Sequence, residues 1–215
     1  GVERFLATST ACVYPRDAIV PTPESEGFRG DPEPTIAGYS WAKRMEEYLA
    51  MAYAKEYGMK GIAIARPFNA YGPRDNFGEL EETHVIPGLL RKVFSGESPL
   101  VVWGTGRPTR SFLYVTDAAR GLMEITEKYA VADPVNLGVN EEVPVETLAK
   151  LIVELSGKPV ELEFDHSKPD GQPRRSCDTT KLEEKGGFRA AVPFREGLEQ
   201  TIAWYRANIL KEHTA

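Results

Sequence analysis

Tyr39 and Lys43 stand four residues apart in Gly38-Tyr39-Ser40-Trp41-Ala42-Lys43. On a helix that spacing puts both side chains on one face, one turn apart. An ammonium beside a phenol favours the phenolate, which a tyrosine acting as acid/base near neutral pH requires. The same spacing also fits two solvated residues on a helix surface. Upstream, Ser9-Thr10-Ala11-Cys12-Val13-Tyr14-Pro15 gathers hydroxyls and a thiol at the end of a short apolar run. A thiol is a weak acid suited to proton transfer, although a cysteine there also packs as a small hydrophobe. His84, in Thr83-His84-Val85-Ile86-Pro87, can exchange a proton near pH 7. It equally reads as a surface residue at a helix start, beside an N-cap at Thr83. His166 and His213 match no motif, and the three histidines make no metal site.

These residues need elements to hold them. The apolar run around residues 5–7 reads as a short buried strand ending in hydroxyl-rich residues 8–10. A hydroxyl at the C-terminal end of such a strand points into the crevice where open α/β sheets bind ligands. Thr10 is therefore expected to hydrogen-bond the Tyr39 phenol or the substrate oxygen it serves. Residues 15–34 carry five prolines and many charges, a loop long enough to be a lid. Residues 37–57 predict a helix that Gly58 stops. Strands are expected at 61–65, 100–103, 135–137 and 160–164, and helices at 85–95, 116–128, 145–156 and 194–208. Residues 168–175 read as a polar loop. Strands alternating with helices predict an α/β fold with parallel pairing.

The composition narrows the function classes. The 215 residues are enough for one domain with a sizeable core, or one and a half. An apolar share of 41% and a charged share of 27% are those of an ordinary globule. The net charge of −6, with no lysine/arginine-rich run, argues against a nucleic-acid surface. No apolar run reaches the roughly 20 residues of a membrane span, and no signal peptide is expected. Two cysteines, Cys12 and Cys177, form neither a framework nor a C-x-x-C pair, so a reducing compartment fits.

Strand end, hydroxyl, then Y-x-x-x-K on the next long helix is the order used by short-chain dehydrogenases. Further motifs match the extended branch of that family: Arg66-Pro67-Phe68-Asn69-Ala70-Tyr71-Gly72-Pro73 and Arg110-Ser111-Phe112-Leu113-Tyr114-Val115-Thr116-Asp117. So do Gly72-Pro73-Arg74-Asp75-Asn76-Phe77, Val102-Trp103-Gly104-Thr105-Gly106 and Ser167-Lys168-Pro169-Asp170-Gly171-Gln172-Pro173-Arg174. Over nearly its whole length the chain resembles the extended short-chain dehydrogenase/reductase, or NAD-dependent epimerase/dehydratase, family. Within that family it is most similar to the epimerase/reductases of GDP-4-keto-6-deoxy-hexoses.

The resemblance implies a Rossmann-type parallel sheet, of which the chain holds the C-terminal part, plus a smaller α/β lobe binding a nucleotide sugar. Residues 1–84 would belong to the catalytic domain and 85–215 mainly to the lobe, with about 108–138 returning to the sheet. Cys12 and His84 would be the acid/base pair epimerising C3 and C5, on opposite faces of the sugar. Tyr39, with Lys43 and Thr10, would protonate the C4 oxygen as hydride arrives from NADP or NAD. Tyr39, Lys43, Pro67 and Asn69 would lie at the cofactor. Asn69, Arg91, Trp103, Arg110, Lys168 and Arg174 would hold the sugar nucleotide, although surface salt bridges explain any one of these cations equally well. A cytoplasmic homodimer is implied as well, with Met45, Leu49, Ala52 and Tyr53 as its face or, alternatively, as core.

The family's G-x-x-G-x-x-G turn for the dinucleotide pyrophosphate is not found here. Gly104-Thr105-Gly106 follows a strand, but Pro108 comes next instead of a helix start. The chain opens in what reads as a strand already under way, so it is expected to be a piece of a longer protein, inactive alone, or else to begin at a sheet edge. Two other activities stay open: a GDP-mannose 3,5-epimerase-like or UDP-sugar 4-epimerase-like enzyme, and a binding or dimerisation module without catalysis.

Overall fold

The structure is a computed structural model that describes residues 1–78 and 83–212. Residues 79–82, just ahead of His84, and His213 lie outside the described residues. In chain order the elements are β1 (Phe5–Thr8), α1 (Ala37–Tyr57), β2 (Ile62–Pro67), β3 (Ala70–Tyr71), α2 (Val85–Ser95) and β4 (Leu100–Trp103). There follow β5 (Thr109–Arg110), β6 (Leu113–Tyr114), α3 (Val115–Lys128), β7 (Val131–Leu137), β8 (Val143–Pro144) and α4 (Val145–Ser156). The last are β9 (Leu162–Asp165), β10 (Arg174–Arg175) and α5 (Phe194–Glu212).

The chain forms two compact units. One comprises Gly1–Ala70, Ser111–Glu142 and Arg175–Ala191; the other comprises Tyr71–Arg110, Val143–Arg174 and Val192–Ala215. In the first, β1, β2 and β7 make a parallel sheet in that order. Phe5, Leu6, Ala7 and Thr8 pair with Ile62, Ala63, Ile64 and Ala65. The central strand β2 is buried from Ile62 through Arg66, as a parallel strand covered on both faces must be. Its side chains pack with Leu113, Ile125, Leu137, Leu182 and Phe188 on one side, and with Ala7 and Ala50 on the other. Strand β7 is longer than its apolar stretch suggested. Its early residues are polar or bulged, with Ala132 at φ 55° and a register shift where β2 passes from Ile62 to Ile64.

Helix α1 runs over the expected residues, and Gly58 closes it at φ 63° by donating its N–H to Tyr53 O. Its orientation is unusual. The buried positions are Ser40, Arg44, Glu47 and Ala50, whereas Trp41, Met45, Tyr48, Leu49 and Tyr53 are exposed. Arg44 explains one side of this: Nε donates to Val13 O at 2.8 Å and Nη1 to Gly30 O at 2.5 Å.

The loop 15–34 is tethered near its middle, at Thr22 and Glu24. Thr22 N–H donates to Ser176 O, Asp178 N–H to Thr22 O, and Asn136 N–H to Glu24 Oε1. Arg66 Nη1 donates to Glu24 O at 2.8 Å, so the loop covers the charged end of that buried side chain.

In the second unit, β4 and β9 pair in parallel, and β5 pairs antiparallel with β8. Ile86, Leu89, Leu90 and Val93 of α2 are buried, as are Leu148 and Ile152 of α4 and Leu198 and Ile202 of α5. The polar loop expected at 168–175 holds the short strand β10 at its end.

Candidate active site

The first unit brings four of the expected residues to the C-terminal end of β1. Helix α1 lies against that strand, and Lys43 Nζ donates to Thr8 O at 2.8 Å while pairing with Glu46 at 2.8 Å. Tyr39 sits one turn earlier on the same helix with its side chain half exposed. Thr10 caps the 3-10 turn Ala11–Val13, its Oγ1 accepting the Cys12 N–H at 3.3 Å. Instead of reaching the phenol, the Thr10 side chain holds the backbone of Cys12; its own O–H proton is left to donate.

The Cys12 thiol is half-buried and free. Arg175 Nη1 lies 3.8 Å from its Sγ, and the other end of that guanidinium reaches buried Glu33 at 3.5 Å. Sequence reasoning singled out Arg174 and passed over Arg175. The neighbour of Cys12 is 163 residues away in the chain, and no local pattern points to it. Cys177 is also free but wholly buried, and burial pushes its thiol well above the usual range.

Asn69 takes a left-handed backbone, φ 37°, in the turn after β2. Its Nδ2 donates to Ser111 O at 2.9 Å and its carbonyl accepts from Leu113 N–H, so part of the side chain is committed to holding that turn. Pro67 pairs with Leu137 at the end of β2.

Behind these residues lies a buried polar network. Arg66 bonds Glu47 through Nε at 2.8 Å and Nη2 at 2.7 Å, and its Nη1 donates to the Tyr14 hydroxyl at 2.9 Å. Tyr14 in turn donates to Asn136 Oδ1. Burial raises the Tyr14 pKa beyond what Arg66 can offset, so Tyr14 is a structural hydroxyl and no proton donor near neutral pH.

The second unit holds the remaining expected residues. His84 is the N-cap residue of α2, in the place the sequence reading assigned to Thr83, and its ring is exposed. Its Nδ1 lies 3.4 Å from Asp75 Oδ1. The hydrogen bond to Asp75 raises the His84 pKa, more than desolvation lowers it. Arg91, two turns along α2, donates to Gly78 O. Trp103, at the end of β4, is 62% exposed, with Lys168 Nζ 5.5 Å from its ring centre. Arg110 Nη1 donates to Thr109 O and Gln172 O, both at 2.7 Å, and exposed Arg174 lies on β10 beside β5.

One buried hydroxyl at the end of β1 lacks a hydrogen-bond partner among the described residues, as a group facing a bound molecule would. It is Ser9 Oγ, next in sequence to Thr10 and close to the Lys43 anchor. Gly104-Thr105-Gly106 does not fit the pyrophosphate. Asp170 Oδ1 accepts the Thr105 N–H at 2.5 Å, and bonds from Thr105 hold that carboxyl below the usual range, so an anion already fills the turn.

The parallel sheet, the Y-x-x-x-K helix and the strand-end hydroxyls define a class. The sequence pattern of the NAD dependent epimerase/dehydratase family matches residues 1–138, and the chain belongs to that family. It is 38% identical over 213 residues to GDP-L-fucose synthase 1 of Arabidopsis thaliana, covering 97% of this chain and 65% of that protein. To the GDP-L-fucose synthase of Sinorhizobium fredii it is 35% identical, covering 97% and 67%. The crystal structure of a GDP-L-fucose synthetase from Naegleria fowleri bound to NADP matches with a TM-score of 0.88 at 30% identity, covering 98% of this chain and 68% of that one. The UDP-glucose 4-epimerase of Thermotoga maritima, solved with UDP-glucose, matches with a TM-score of 0.85 at 31% identity, covering 97% and 65%. The chain thus spans about two-thirds of the length of the relatives it matches.

Proposed function

We propose that this chain carries the proton-transfer residues and sugar-nucleotide lobe of an epimerase/reductase acting on a GDP-4-keto-6-deoxy-hexose. The observation that carries this is the strand-end cluster. Lys43 is anchored to Thr8 O, Thr10 holds Cys12, and Tyr39 stands one turn before Lys43. The likeness to GDP-L-fucose synthases supports the GDP-sugar assignment.

Cys12 and His84 serve as the acid/base pair at C3 and C5. Inverting a carbon needs one group to take a proton and another to return one on the opposite face, and the adjacent ketone stabilises the intervening enolate. Tyr39, assisted by Lys43 and Thr10, gives a proton to the C4 oxygen. NADP or NAD, when bound, supplies the hydride for that reduction; Tyr39, Lys43, Pro67 and Asn69 flank its nicotinamide side. Arg91, Arg110, Lys168 and Arg174 contact the diphosphate, with Asn69 and Trp103 beside the sugar nucleotide.

The test is GDP-4-keto-6-deoxymannose in D2O with NADPH, using the protein with its complete reading frame. Deuterium should enter C3 and C5, and Cys12→Ser should stop that exchange while an already epimerised ketone is still reduced. Exchange unchanged by Cys12→Ser would rule out the assignment of Cys12. The likeness to UDP-glucose 4-epimerase favours a second reading, in which UDP-glucose is the substrate and neither Cys12 nor His84 takes part. Turnover of UDP-glucose without solvent exchange would establish that one.

The partner is proposed to be a second copy of the chain. Met45, Leu49 and Tyr53 are 56%, 48% and 52% exposed on α1, and this apolar face supports that reading. A reducing, cytoplasmic setting suits two free thiols. No described helix is long and apolar enough to cross a membrane.

A further inference from the structure

We propose that Asp75 is a positioning residue for His84, fixing the ring with its proton on Nδ1 and Nε2 turned outward as the proton-transfer atom. This rests on the reading of His84 as an acid/base.

The turn that carries Asp75 is built for a fixed carboxylate. Arg74 adopts φ 69°, and Asp75 N–H donates to Gly72 O. Oδ1 of Asp75 accepts the Asn76 N–H at 2.7 Å, and Asn76 Oδ1 accepts the Gly78 N–H at 2.9 Å. The carboxylate cannot swing away without breaking this local hydrogen bonding. Its side chain is 15% exposed whereas that of His84 is 78% exposed, so an anchored group holds a free one. Oδ2 of Asp75 is buried without a hydrogen-bond partner among the described residues. A buried carboxylate oxygen left unpaired is costly, so this carboxylate has capacity for a further donor. The 3.4 Å contact to Nδ1 is at the long end of hydrogen-bond range, as catalytic hydrogen bonds often are in the absence of substrate.

His84 also sits at the N-terminus of α2, where the helix dipole disfavours an imidazolium. Among the described residues Asp75 is the one charged side chain acting on the ring, and its effect opposes that of the dipole. The chemistry follows from the tautomer. With Nδ1–H held by Asp75, the neutral ring has its lone pair on Nε2 and the cation its transferable proton there. When Nε2–H gives its proton to an enolate carbon, the enolate π pair forms the new C–H bond and the ketone is restored. The ring returns neutral, still hydrogen-bonded through Nδ1. In reverse, Asp75 stabilises the charge that develops on the imidazole.

The test reads the ring and not turnover, so it stands apart from the proposed function. Long-range 1H–15N correlation spectra of the 15N-labelled chain, assigned with His84→Gln, should show His84 as the Nδ1–H tautomer. Asp75→Asn keeps an acceptor for Asn76 N–H, so the turn is preserved. By removing the charge and keeping the acceptor, that substitution should lower the His84 titration midpoint, leaving His166 unmoved as the internal control. Asp75→Ala, which removes the acceptor as well, should mix the two tautomers. A ring that keeps its midpoint in Asp75→Asn, or its tautomer in Asp75→Ala, overturns the proposal. If the ring responds but His84→Gln epimerises normally in the full-length protein, the function assigned to His84 fails and the positioning stands.

Discussion

Arg66 and Glu47 form a two-pronged ion pair with both side chains buried, 1% and 0% exposed. Desolvation alone would depress the Arg66 pKa; the bonds to Glu47 and Tyr14 reverse this and hold it above its ordinary value. Removing one member strands the other charge in the core, so Glu47→Ala should cost about 3–5 kcal/mol in urea unfolding. Glu47→Leu with Arg66→Met together should cost clearly less than the sum of the single changes. Additive losses would mean that the two side chains do not act as a pair.

Gly27 packs against the same guanidinium. A Cβ built there would fall 2.3 Å from Arg66 Nη2. Because that end of Arg66 is bonded to Glu47 and Glu24, it has little freedom to yield. Gly27→Ala should destabilise by about 1–3 kcal/mol, the usual cost of overpacking, and should speed proteolysis within the loop 15–34.

The two thiols should differ in reactivity. Iodoacetamide should label half-buried Cys12 in the folded chain and reach Cys177 only on unfolding, since Cys177 is both inaccessible and held as the neutral thiol. Peptide mass spectrometry across a urea series checks this. Early labelling of Cys177 would contradict the placement of its side chain at 0% exposure.

The pH dependence of stability should carry a small His84 contribution. The folded-state pKa is raised above an ordinary value of 6.5, so the protonated ring favours the folded state. That stabilisation is fully present below pH 6.5 and is lost as pH rises through the folded value. The ring is exposed and solvent weakens the pair, so the difference between wild type and His84→Gln should be slight. Thermal melts from pH 5 to pH 8 should show the gap closing as pH increases.

Leu49 and Tyr53 should matter to assembly and little to the fold. Replacing both by glutamate should leave the melting temperature nearly unchanged while converting a dimer to a monomer in light scattering. A variant that unfolds instead would place these side chains in the core, against their exposure.

The sequence by itself determined the elements and the short-range chemistry. The good helix formers from Ala37 to Tyr57, ended by Gly58, specify α1, and the unbroken apolar stretch at Ile62–Ala65 specifies a strand buried on both faces. The four-residue step from Tyr39 to Lys43 is a property of the helix alone. Tertiary structure decided which face of α1 turns inward. The sequence left Met45, Leu49 and Tyr53 open as core or as a dimer face; in the fold Arg44 and Glu47 are drawn in by Val13 O, Gly30 O and Arg66. It also decided that Arg175 touches Cys12, that Thr10 bonds a backbone amide and that Asp75 faces His84. Local periodicity reports only a residue's nearest neighbours along the chain. A carboxylate nine positions ahead, or a guanidinium 163 positions on, meets its partner only once the fold has closed the intervening loops.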